Sequence, residues 1–166
     1  MKSFLSICGV LCSVLCVCGC GGDGRPSLVP VTGKVTLNGE PIDGAMVGFQ
    51  PQDIEGYNRP STATTDAQGS FTVGTYGTDD GIPEGSYRVT VRKSEVIGKI
   101  PEGYNLENPE ENPRPLRTRL IVPEMYADAE ASGLTVTVTA SGISPDVIAL
   151  EGDPEVRSAG GRADDP

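Results

Sequence analysis

Five cysteines crowd into the first 20 residues, at Cys8, Cys12, Cys16, Cys18 and Cys20, and the last three alternate with valine and glycine. Thiolates so closely spaced are the raw material of a metal or redox centre. The run from Phe4 to Cys18 holds no histidine or carboxylate to complete a ligand set, so neither a metal nor a cofactor is expected here. The whole chain lacks histidine, which removes Ser–His and Cys–His nucleophile pairs together with the commonest metal ligand. Two further groupings hold chemical potential. Asp79 and Asp80 are paired carboxylates suited to acid–base work, and with Glu84 they offer oxygens to Ca²⁺. Both carboxylates sit between Gly77 and Gly81, a context that reads as a solvated turn, and the spacing matches no EF-hand. Tyr57, Tyr76 and Tyr104 lie in loop-like stretches where exposed rings would suit a carbohydrate, although the chain has no Trp. No catalytic residue and no metal ligand is assigned.

The cysteine-rich segment has the layout of a secretory leader. One basic residue, Lys2, precedes an apolar run, and small residues follow at Gly19 and Gly21. The run is shorter than the ~20 residues of a comfortable membrane span. Its end, Val17-Cys18-Gly19-Cys20, resembles the lipobox of bacterial lipoproteins. That resemblance implies cleavage after Gly19 and diacylation of Cys20, the lipidation site. Residues 1–19 are then the signal peptide, and the exported body keeps no thiol free to form a disulfide.

The 147 residues from Cys20 onward are near the commonest size of one domain. Lys2 is the leader's one charged residue, so 12 basic residues face 23 acidic ones in the remainder, a net charge near −11. Nucleic acid needs a cationic footprint and is excluded as a partner. Short β-branched runs between turn residues point to an all-β sandwich. Alternation is clear in Val31–Leu37, in Ala45, Val47 and Phe49, in Phe71 and Val73, in Tyr87, Val89 and Val91, and in Leu134, Val136 and Val138. Val147–Leu150 supplies a last short strand. Six or seven strands result. Residues 20–28 read as a flexible tether, residues 29–151 as the sandwich, and residues 152–166 as a disordered acidic tail. Within the sandwich, residues 95–130 form a proline-rich insertion carrying Pro101, Pro109, Pro113, Pro115 and Pro123.

Three blocks, in order, resemble carboxypeptidase regulatory-like domains. They are Gly33-Lys34-Val35 with Gly39 to Phe49, then Thr65-Asp66-Ala67-Gln68-Gly69-Ser70-Phe71, then Pro83 to Val91. The stretch Pro123 to Val138 looks like a lipoprotein subgroup in which this domain stands almost alone. The resemblance implies a seven-stranded, transthyretin-like Greek-key β-sandwich, the non-catalytic partner of a peptidase domain that has no counterpart here. A hydrolase of the same fold relies on histidines and a C-terminal Tyr-Arg-Gly-Ser, whereas Tyr87-Arg88 lies mid-chain, so that activity does not carry over.

The expectation is a non-catalytic module of the bacterial cell envelope, held to a membrane by the lipid on Cys20 and facing periplasm or exterior. Its partner is another envelope protein, contacted through the sheet surface or the insertion. A carbohydrate- or Ca²⁺-binding surface module is the alternative.

Overall fold

A computed structural model describes residues 25–108, 111–112 and 116–158. Cys20 and the leader lie outside the described residues. Strands in chain order are β1 (Leu28–Val29), β2 (Thr32–Leu37), β3 (Glu40–Pro41), β4 (Met46–Gln52), β5 (Ser61–Thr64), β6 (Ser70–Thr72) and β7 (Ile82–Pro83). They continue as β8 (Gly85–Arg92), β9 (Ser94–Val96), β10 (Arg117–Leu120), β11 (Thr135–Thr139), β12 (Gly142–Ser144), β13 (Val147–Leu150) and β14 (Glu155–Ser158). A 3₁₀ turn at Glu124–Ala127 interrupts this nearly all-β order.

One sheet runs β12-β11-β8-β4-β5, and a second runs β13-β2-β3 with β6 also paired to β2. Period-two alternation decides which side chains go inside. Along β8, Tyr87, Val89 and Val91 are buried, while Ser86 and Arg92 are exposed. Val47 and Phe49 of β4 join them from the same sheet, as do Val136 and Val138 of β11. The other sheet contributes Val35, Phe71, Ile148 and Leu150, and all belong to one apolar cluster. Two sheets closing on a single core are consistent with a β-sandwich. Tyr87 is fully buried, and its hydroxyl donates to the Pro83 carbonyl at 2.7 Å, satisfying the one polar atom that burial would otherwise strand. Burial first, and Tyr57 second, push its phenol well above the ordinary range.

Three stretches differ from the sequence expectation. Leu28 and Val29 pair with Pro83 and Ile82, so the end of the expected tether is already a strand. The insertion contains two strands, β9 and β10. Its apolar end, Leu120 to Tyr126, does what that composition leads one to expect and docks on the sandwich, with Val122 and Tyr126 buried. The expected disordered tail begins too early at 152. Asn38 exchanges hydrogen bonds with Gly152, at 2.9 Å to its carbonyl and 3.1 Å from its N–H. Glu155–Ser158 then pairs antiparallel with β10. An open strand edge of unpaired N–H and C=O groups is a template for such pairing, and a β-branched Val156 suits it.

Candidate functional site

The carboxylates singled out in the sequence part company in the structure. Asp80 turns inward on its own loop. Its Oδ1 accepts the Thr75 N–H at 2.6 Å, and its Oδ2 accepts those of Tyr76 at 3.0 Å and Gly77 at 2.8 Å. Chiefly the Thr75 bond, helped by those of Tyr76 and Gly77, holds this carboxyl below its ordinary value of 3.8. Backbone donors thus occupy the oxygens a cation would need. Among the described residues, no group of three or more His, Cys, Asp or Glu is placed to hold a metal ion.

A carboxyl whose value is depressed on folding stabilises the fold above its unfolded value. That stability is lost as pH falls through the folded value. Asp80→Asn is therefore expected to be less stable than the parent at pH 7, with the deficit shrinking below about pH 3.8. Urea midpoints at the two pH values would show it, and a deficit independent of pH would count against this role.

The three loop tyrosines are differently engaged. Tyr57 buries its hydroxyl with no hydrogen-bond partner, so it presents no free aromatic platform. Tyr76 lies under two guanidinium groups, Arg25 at 4.6 Å and Arg59 at 5.0 Å from the ring centroid. Tyr104 is half-buried in a turn in which its N–H reaches Pro101 O at 3.1 Å.

The insertion builds an arm. β8 ends at Arg92, and the Lys93 carbonyl accepts the N–H of Ile121 at 2.9 Å where the returning chain leaves the arm. Beyond that point β9, β10 and β14 form a separate three-stranded sheet. No described side chain on its strands is buried. Val96, Ile97, Ile100, Leu106 and Val156 show between 37% and 61% of their surface. Arg117 and Arg119 are exposed on the central strand, and Lys99 is exposed three residues beyond the end of β9. Order extends into the connection: the Asn105 N–H donates to Asn112 Oδ1 at 2.8 Å, and Asn112 Nδ2 returns a bond to Asn105 O at 2.8 Å.

A second feature was not anticipated. Beside the β5–β6 hairpin lies a groove of about 560 Å³. Thr32, Thr62, Thr64, Ser70, Thr72 and Thr78 line it, and Ala63 and Phe71, both buried in the core, border it. Asp66 stands at the hairpin turn, its Oδ1 accepting the N–H groups of Gln68 at 2.9 Å and Ser70 at 2.8 Å. Asp79 stands at the other end, in the loop that folds over Gly74. A Cβ at Gly74 would collide with the Gly77 carbonyl oxygen, so only glycine lets this loop close down as a wall. The hint available in the sequence was the density of Thr between 62 and 78.

Among the described residues, no helix is long and apolar enough to cross a membrane. Compared with known protein families, curated proteins and solved structures, the chain finds no match in any of the three.

Proposed function

We propose that the chain is a non-catalytic, lipid-anchored module of the bacterial cell envelope, and that its arm engages another envelope protein. The sandwich is read as a seven-stranded Greek key of transthyretin-like type, with the short outer strands as additions to it. The anchor is read from Val17-Cys18-Gly19-Cys20. The arm is the observation that carries the partner reading. None of the described side chains on this three-stranded sheet is buried, apolar and cationic ones stand uncovered, and its outer strands β9 and β14 leave edges open among the described residues. Open edges accept a partner's strand through main-chain hydrogen bonds, while neighbouring side chains select it.

Crosslinking in native cells, followed by mass spectrometry, tests both halves separately. Lys93 at the base of the arm is expected to crosslink to one envelope protein. Replacing residues 94–120, and with them β9 and β10, by a short glycine-serine turn between Lys93 and Ile121 should abolish that crosslink while leaving the melting temperature nearly unchanged. An unaltered crosslink pattern after the replacement would remove the arm from the function. The N-terminal peptide reports the anchor independently: diacylated Cys20 supports it, and an uncleaved, unmodified leader overturns it.

A further inference from the structure

Asn38 and Gly39 make the turn between β2 and β3, both in the left-handed region, with φ +53° and +87°. An Asn-Gly pair suits a two-residue hairpin of that kind. The Asn38 side chain reaches across to the chain leaving β13. Its Nδ2 donates to the Gly152 carbonyl at 2.9 Å, and its Oδ1 accepts the Gly152 N–H at 3.1 Å. Its backbone N–H donates to Leu150 O at 2.8 Å. The primary amide thus stands in for one more peptide group of β2, prolonging the parallel pairing of β2 with β13 past Leu37 and Leu150. Gly152 also lies close against Pro123, whose Cγ is 2.7 Å from where a Cβ would stand. Three residues on, the chain enters β14 and covers one edge of β10.

We propose that Asn38 is a site of spontaneous deamidation, gated by this clasp, and that the modification loosens the chain's path into β14. The Gly39 backbone nitrogen attacks Asn38 Cγ and gives up its proton, the bond from Cγ to Nδ2 breaks, and ammonia leaves. Water then opens the cyclic imide at either carbonyl, giving an aspartate or an isoaspartate. Both residues are exposed, and nothing lies within 4 Å of the place where a Cβ on Gly39 would stand, so the nitrogen is open to approach. The other four asparagines lack that freedom. Asn58 and Asn105 precede Arg59 and Leu106, and Asn108 and Asn112 precede prolines, which have no N–H to react. Attack requires the Asn38 amide to leave Gly152, so the reaction runs through a local opening. Afterwards the clasp cannot re-form as it was. A carboxylate has no hydrogen to give to the Gly152 carbonyl. It also brings a negative charge into the cleft that Glu151 and Asp153 line. An isoaspartate adds a backbone carbon to a turn built for two residues.

The test is prolonged incubation of the full chain at mildly alkaline pH, followed by peptide mapping in the mass spectrometer and, separately, by hydrogen exchange. Asn38 should take on the mass of an amide turned acid, as a mixture of aspartate and isoaspartate, while Asn58 and Asn105 stay intact. In urea the same conversion should run about tenfold faster or more, the effect of two hydrogen bonds on a local opening. Gly152→Ala pushes a Cβ into Pro123 and displaces the clasp, so its conversion rate should lie between the two. In Asn38→Asp the amides of β14 should lose about tenfold or more of their protection, while those of β8 keep theirs and show that the variant is folded. An Asn38 that stays intact in the folded chain, or that converts there as fast as in urea, would overturn the proposal. So would unchanged protection of β14 in Asn38→Asp. None of these readouts depends on what the arm binds.

Discussion

Phe49→Ala is expected to cost about 3–5 kcal/mol of folding stability, the usual range for truncating a buried phenylalanine. Phe49 is completely buried at the middle of β4, and its ring packs on Phe71 with centroids 5.7 Å apart, so the residual space borders both sheets at once. The cost contains a transfer contribution and a cavity contribution. The cavity is hard to collapse because the flanking partners Val89 and Ser61 are fixed by register on both sides of β4. Urea unfolding measures it: the midpoint should drop with little change in slope. Phe49→Leu should lose far less. A loss below about 1 kcal/mol for the alanine variant would mean that the two sheets do not share this core.

Thr65→Val is expected to lose about 2–6 kcal/mol without changing side-chain shape. The Thr65 hydroxyl accepts the Ala45 N–H at 2.8 Å and donates to the Ile42 carbonyl at 2.6 Å, both in buried surroundings. Valine would leave one buried donor and one buried acceptor unmet, each costing about 1–3 kcal/mol. Thr65→Ser preserves both bonds and should recover most of the stability. Hydrogen exchange gives a local reading, since the Ala45 amide should lose protection more than amides of β11. Uniform protection across both would place the hydroxyl outside the bonding that pins β5 to the start of β4.

The strands that proved legible are those whose inward positions are large and β-branched or aromatic. In β8 and β11 the buried set is Tyr87, Val89, Val91, Val136 and Val138, and alternation with Thr, Ser and Arg announces each strand. β5 escaped the same reading for a physical reason. Its buried positions are Ser61 and Ala63, followed by Thr65, all small, so burial leaves almost no contrast in hydropathy. The arm was missed differently: where both faces of a sheet meet solvent, no face needs to be apolar and no period appears. The role of Asp66 as a bond acceptor within the turn Asp66 to Gly69 is legible from sequence, because that chemistry is local. The two neighbouring carboxylates were not separable from sequence, since Asp80's partners are fixed by a loop closure and Asp79's place by the groove.

β8 also joins two poles of the molecule. Its Gly85 end follows β7, against which the N-terminal β1 lies, and its Arg92 end runs into the arm. Eight extended residues span about 26 Å. Between Cys20 and Arg25 the chain is at most about 18 Å long. If lipid holds one pole and a partner grips the other, tension passes along β8 parallel to its own axis. Seven registered pairs to β4 and four to β11 then resist together in shear, instead of opening one after another as in a zipper. Under that load the sandwich would behave as a mechanical coupling, stiff along the axis of β8.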